Sequence, residues 1–243
     1  MLRSLIKFGS CAILLAAMTV NANAQSFTED FDAPTLGAST TLGNTVGGDP
    51  VVLSSGTWHA LNVSPGGAGS TGWFNNITVF PALTGAGQLN ANFNSSTGSN
   101  SIDSYFMSPV RTFNNGDTIS FFTRTVTTVS FPDRLRLAFS SSGASTSNTD
   151  FGTTLLTVNP TLTTTGYPSI YTQFSVVLSG LGGPTSGRFA FNYNPINAGP
   201  AGANSDFIGI DSVAYTVVAI PEPTSALALV GLCVGGLFRR RRA

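Results

Sequence analysis

Apolar and polar residues alternate with period two through most of the chain between Gln25 and Val217. The pattern is cleanest at 134–140, where Leu135, Leu137 and Phe139 share one side and Arg134, Arg136, Ala138 and Ser140 the other. One dry face and one wet face predicts a strand of an antiparallel sheet laid over a core. The same alternation sets Phe189, Phe191 and Tyr193 together over 188–193. It groups Phe174, Val176 and Leu178 over 173–178, and Leu89, Ala91 and Phe93 over 88–94. Over 118–129, Ile119 and Phe121 fall on one face and Phe122 and Val126 on the other. Further strands are expected at 25–33, 55–63, 73–80, 104–110, 153–158 and 207–217. Segments 36–50 and 65–72 read as loop, the first with room for one weak strand. Asn114-Asn115-Gly116-Asp117 reads as a turn, because Gly116 tolerates positive φ. No window of about eleven residues shows a period of 3.6. About ten short strands separated by Gly, Asn and Ser turns predict an all-β body, a two-sheet antiparallel β-sandwich.

Both ends break this pattern. Residues 1–24 carry Arg3 and Lys7, then an apolar run from Cys11 to Val20, then Ala22-Asn23-Ala24. A charged start, an apolar middle and a small-x-small end predict a secretory signal peptide. The other end runs Pro221-Glu222-Pro223, then an uncharged apolar stretch from Ala226 to Phe238, then Arg239, Arg240, Arg241 and Arg242. The prolines stiffen the tripeptide. As a helix the apolar stretch is about 20 Å long against a hydrocarbon core of about 30 Å, so it is a short membrane helix helped by snorkelling arginines. The arginine block stays cytoplasmic and places everything before it across the membrane. The organisation read from the sequence is therefore a signal peptide at 1–24, a β-sandwich at 25–218 and a C-terminal segment at 219–243.

Composition sharpens the chemistry. The only cysteines, Cys11 and Cys233, lie in the two end segments, and Lys7 is the only lysine. The body then has no disulfide and no thiolate metal site. It carries five arginines against ten acids, a net charge of −5 hidden by the neutral total. No basic stripe exists for nucleic acid. His59 is the sole histidine, no Gly-x-Ser-x-Gly elbow is present, and the glycine pairs lack the residues of a phosphate loop, so the body reads as non-enzymatic. Two binding chemistries remain. Glu29, Asp30 and Asp32 on the first strand and Asp211 on the last would come together if those strands are neighbours, and clustered carboxylates suit Ca²⁺. The plainer alternative is a set of acids at strand ends. Trp58 and Trp73 are candidates for a carbohydrate platform, with core packing as the alternative.

The order Pro-Glu-Pro, short apolar helix and arginine cluster resembles the PEP-CTERM sorting signal of Gram-negative bacteria. That resemblance implies a membrane protease, exosortase, as processing partner, export through the Sec translocon, and delivery to the cell surface or extracellular matrix. The body resembles the choice-of-anchor J domain, a jelly-roll sandwich. The matching pieces are SFTEDFDA, SIDSYFMSPV, GDTISFFTR, DRLRLAFSSSG, GRFAFNY and SDFIGIDSVAYT. It is more distantly similar to cleaved-adhesin and MAM-type sandwiches. Related sandwiches with an acidic first strand and an Ile-Asp near the end carry structural calcium, and Glu29 and Asp211 match that pattern best. The resemblance implies a structural or adhesive role in biofilm or floc formation. A carbohydrate-binding module acting on exopolysaccharide is the alternative.

Overall fold

The computed structural model describes residues 25–32 and 49–218, which form two packed antiparallel sheets. The strands in chain order are β1 (Phe27–Glu29), β2 (Asp49–Leu53), β3 (Gly56–Asn62), β4 (Phe74–Asn75), β5 (Leu89–Asn92), β6 (Ser104–Met107) and β7 (Arg111–Phe113). They continue as β8 (Thr118–Thr125), β9 (Leu135–Ser140), β10 (Thr153–Val158), β11 (Thr172–Val177), β12 (Thr185–Tyr193) and β13 (Phe207–Thr216). One sheet runs β11-β8-β13-β5-β4, with β1 added on β13. The other runs β10-β9-β12-β6-β3-β2, with β7 added on β12. The signal peptide expected at 1–24 and the short helix expected within 219–243 lie outside the described residues. Among the described residues no helix is long and apolar enough to cross a membrane.

The alternation explains the layers. On β8 every second residue, from Ile119 to Thr125, is buried, and on β9 Leu135, Leu137 and Phe139 enter the core. Phenylalanine fills most of the gap between the sheets, since it offers area without a polar group to satisfy. Phe113 meets Phe139 edge-on at 5.1 Å, and Phe121 meets Phe191 at 5.0 Å. Trp58 stacks on Phe106 at 5.2 Å.

Two long strands each serve two neighbours along one edge. The start of β13 pairs with β5 at 207–210 and its end pairs with β1 at 213–215, while β8 runs along its other side. The change of partner falls at a bulge between Asp211 and Ala214, where Ser212 adopts φ +50°. An extra residue there bends the strand and increases its twist. In the other sheet β12 pairs first with β7 and then with β6.

Several expectations change in detail. The strand expected over 73–80 shrinks to Phe74–Asn75, because Asn76 turns the chain by accepting the Thr78 amide on its own side chain. The loop expected at 36–50 ends in a true strand, β2, whose Pro50 occupies an edge position where no ladder donor is needed. Phe93 leaves the core face, since the chain enters a 3-10 turn at Phe93–Ser95 capped by Asn92.

Candidate functional site

The chain enters and leaves the sandwich at one place. Phe27 of β1 lies opposite Tyr215 of β13, and the Val217 amide donates to Ser26 Oγ at 3.0 Å. Beside them, the turn at 114–117 closes over the end of β13. Asp117 is fully buried and its carboxylate accepts the Asn114 amide at 2.7 Å, the Tyr215 hydroxyl at 2.6 Å and the Val218 amide at 3.0 Å. Burial first, and then the Asp117 carboxylate, push the Tyr215 hydroxyl well above the usual phenol range, so it stays a donor. The backbone is thus fixed up to Val218, three residues before Pro221.

This exit end is nearly free of charge. It is built from 25–26, 54–55, 109–118, 141–146, 178–186 and 216–218. Ties between these segments include Arg111 Nη2 to the Ser55 carbonyl, the Gly116 amide to the Leu178 carbonyl, and the Gly143 amide to the Ser186 carbonyl. In these segments the only ionisable side chains are Arg111 and the buried Asp117. Four valines, Val52, Val110, Val177 and Val218, are exposed at or beside this end.

The four candidate calcium ligands do not gather. The first and last strands are neighbours, as expected, but the carboxylates point to different places. Glu29 lies opposite Val213, a core residue, so its side chain enters the space between the sheets. There it accepts the Phe31 amide at 3.0 Å, the Ser54 hydroxyl at 2.9 Å, and the Ser55 amide and hydroxyl at 3.0 and 2.7 Å. Ser55 Oγ in turn accepts Trp58 Nε1 at 2.8 Å. Asp211 follows the core residue Ile210 and points to the outer face, where it accepts the Leu83 and Thr84 amides at 2.7 and 3.2 Å. Asp32 holds the other end of that same loop through the Ala86 and Gly87 amides, and Asp30 accepts the Asp32 amide at 3.3 Å. Gly85 between them has φ +61°, and a Cβ there would lie 2.0 Å from the Asp32 carboxylate. Among the described residues no group of three or more His, Cys, Asp or Glu side chains is arranged to hold a metal. Both oxygens of Glu29 and of Asp211, and Oδ1 of Asp30 and Asp32, already face donor hydrogens, and in this geometry the carboxylates serve as loop clamps.

The aromatic platform is also displaced. Trp58 and Trp73 are both 0% exposed, and each packs against Phe106. A sugar ring needs an open aromatic face, so neither tryptophan can carry it. His59 stands on β3, where burial and then the Arg188 charge lower its pKa. Its Nδ1 is buried without a hydrogen-bond partner. A triad histidine is oriented by a carboxylate at that nitrogen, and among the described residues none bonds His59 there.

Sequence reading missed the end opposite the exit. There Asp133 is fully buried and accepts Thr125 Oγ1 at 2.6 Å, the Tyr193 hydroxyl at 2.5 Å and the Asp206 amide at 2.9 Å. Burial raises its pKa to about 6, against the lowering effect of those bonds. An uncharged cleft of about 520 Å³ opens beside this network, lined by Thr127, Thr164, Thr165, Ser169 and Ile170 among others. Its rim segments are read from sequence as plain loops, and nothing in their spacing marks a site.

The PEP-CTERM protein-sorting motif matches residues 219–242, which begin directly after the Asp117 clamp. A search of curated proteins returns no relative of this chain. Among solved structures, the K1 cleaved adhesin domain of Lys-gingipain from Porphyromonas gingivalis W83 aligns at 16% identity and a TM-score of 0.52. The alignment covers 80% of this chain and 99% of that one. The K2 cleaved adhesin domain of the same gingipain aligns at 16% identity and a TM-score of 0.53, over 79% of this chain and 100% of that one. At this identity the likeness establishes the two-sheet fold.

Proposed function

We propose that this protein is an exported surface protein whose β-sandwich is held at the membrane by its tail, released by an exosortase, and retained at the cell surface or in the extracellular matrix. The signal peptide at 1–24 takes the chain through the Sec translocon. The tail at 219–243 stops it, and cleavage near Pro221-Glu222-Pro223 frees the sandwich at 25–218. The role there is structural or adhesive, in biofilm or floc formation, and involves no catalysis by the sandwich. One observation supports this reading above the others. The sorting motif starts three residues or fewer from a backbone pinned by Asp117, on a fold whose first and last strands pair. Both membrane-directed ends therefore leave from one side, and the opposite end is free to face outward. The adhesive element draws on the shared fold with the gingipain cleaved adhesin domains.

Intact mass and location of the mature protein, measured with and without the sorting protease, test the reading. A surface-located body running from Gln25 to near Pro221, replaced by an inner-membrane form with its tail when the protease is deleted, is the expected result. A tail retained in both strains overturns it. The cleft at the outward end favours a second reading, in which the sandwich binds exopolysaccharide. Its hydroxyl side chains and lack of charge suit a neutral polyhydroxylated ligand. Retention on the purified polysaccharide that is lost in Ile170→Asp supports it, and equal retention of the variant counts against it.

A further inference from the structure

The charges of the body are distributed unevenly between its two ends. Of ten acids, only Asp117 and Glu29 place their carboxylates at the exit end, and both are buried. The remaining eight acids and four arginines give the rest of the body a net charge of −4. At the exit end Arg111 is the one charge with solvent access, surrounded by Ser, Thr, Gly and Asn and the exposed Val52, Val110, Val177 and Val218. An anionic surface repels the net negative charge of the rest of the body, which this end does not carry.

Chain length adds a second constraint. From Val218 to Pro221 the backbone spans at most about 10 Å, and from Val218 to Ala226, where the apolar run begins, at most about 27 Å. The interfacial layer of a bilayer takes about 5–7 Å of that reach. The exit end of a folded body on this tether stays within about 20 Å of the headgroup surface and meets it often.

We propose that the exit end, centred on Val177, Val218 and Arg111, is a lipid-docking face that sits on the anionic headgroup surface while the tail is inserted. The inference rests on the sorting reading of the tail. It adds that the sandwich itself contacts lipid, so the Pro-Glu-Pro segment is held at the bilayer surface beside a folded domain. Shallow apolar contact by valines and one arginine is weak alone and becomes effective when a tether supplies a high local concentration.

The test uses the full chain, with Cys11 and Cys233 replaced by serine, in vesicles of phosphatidylethanolamine and phosphatidylglycerol. Single cysteines at Val177 and at Ile170 carry an environment-sensitive fluorophore. The two positions are exposed and lie at opposite ends of the β11 segment, about 23 Å apart along the strand direction. A third sample keeps native Cys233 as the only cysteine and reports on the tail. Nitroxide lipids labelled near the headgroup are expected to quench Val177→Cys at least twofold more than Ile170→Cys, with Cys233 quenched by deeper labels. Equal, weak quenching at 177 and 170 with a quenched Cys233 overturns the docking face and leaves the sorting reading intact. A probe at 177 that is shielded from aqueous iodide but not reached by lipid nitroxides means a protein covers this end, and also overturns it. An unquenched Cys233 overturns both readings.

Discussion

Tyr193 donates its hydroxyl to Asp133 at 2.5 Å where neither side chain reaches solvent. Burial raises the Asp133 carboxyl from an ordinary value of 3.8 to about 6. An acid whose folded-state value lies above its unfolded value holds its proton more firmly when folded. Its contribution is fully present below the unfolded value and is lost as pH rises through about 6. The shift corresponds to about 3 kcal/mol. Burial raises Asp206 and Asp211 in the same direction. The lowered pKa of His59 acts in the opposite sense, but the three acids outnumber it, so the body is expected to melt higher at pH 4 than at pH 8, with Asp133 alone contributing about 6–12 °C. Asp133→Asn should flatten this dependence because an amide does not titrate, and the variant should still fold, since the amide can donate to Thr125 Oγ1 once that hydroxyl turns its hydrogen from Asp133 to the Phe207 carbonyl. Calorimetry across this range checks both, and a stability that rises from pH 4 to 8 contradicts the assignment.

Removing the clamp at the exit end should loosen the last residues before the tail. Tyr215→Phe loses bonds to Asp117 and to the Thr112 carbonyl and should cost about 1–2 kcal/mol. Asp117→Ala also releases the Val218 amide and should cost about 2–3 kcal/mol. Urea melts give the energies. Limited proteolysis read by mass spectrometry should show new cuts at 217–220 in Asp117→Ala, and unchanged protection there would disprove the clamp.

Glu29 ties β1 to the turn at 54–55 through three donors and accepts a fourth, the Phe31 amide, on its own segment. Glu29→Ala should destabilise by about 2–3 kcal/mol, and Glu29→Gln by about 1 kcal/mol, since one oxygen becomes a donor. The penalty is expected to be the same in calcium and in EDTA. A penalty seen only with calcium present would mean that a metal joins this carboxylate after all.

Gly85→Ala places a methyl group against Asp32 at a positive φ that L-residues rarely adopt. The loop at 83–87 should detach from both Asp32 and Asp211. Hydrogen exchange at the Leu83, Thr84, Ala86 and Gly87 amides should rise by at least tenfold, with β5 unaffected.

Trp58→Ala should cost about 3–5 kcal/mol through the cavity it leaves among Phe27, Phe31, Phe106 and Phe189. Any loss of polysaccharide retention in Trp58 or Trp73 variants should track unfolding. A folded variant that no longer binds would return these residues to a ligand site.

The strands were readable from the period of their core residues, although the outer face of β9 and β12, expected to be wet, is covered where Ala138 and Ala190 pack with Tyr105, Met107 and Phe151. Leu135, Leu137 and Phe139 on β9 and Phe189, Phe191 and Tyr193 on β12 all enter the core, as their spacing predicts. β7 was not readable, since three residues of mixed character carry no period. The pairing of the first and last strands was expected from the fold type. The direction of each carboxylate was not: Asp211 stays outward by alternation from Ile210, but the bulge at Ser212 then turns Val213 and Tyr215 to the core, and Glu29, opposite Val213, turns inward with them. A bulge leaves no mark in the alternation. The tryptophans misled for a related reason. An aromatic residue in a strand reads alike whether its face meets sugar or phenylalanine, and only the opposite sheet distinguishes them. The Asp133 network was invisible because its members, Thr125, Asp133, Tyr193 and Asp206, come from three separate stretches of chain.

The bond between Ser26 and Val217 closes a loop of 191 positions. A polypeptide that emerges N-terminus first must keep β1 waiting for β13, its partner strand, until almost everything else has appeared. Contacts this distant in sequence form slowly, and an unzipped edge invites mispairing with other chains meanwhile. Maturation of this sandwich is thus expected to be a late, single closing event, completed only as its final strand arrives, and a chaperone that shields β-edges would have its longest task here.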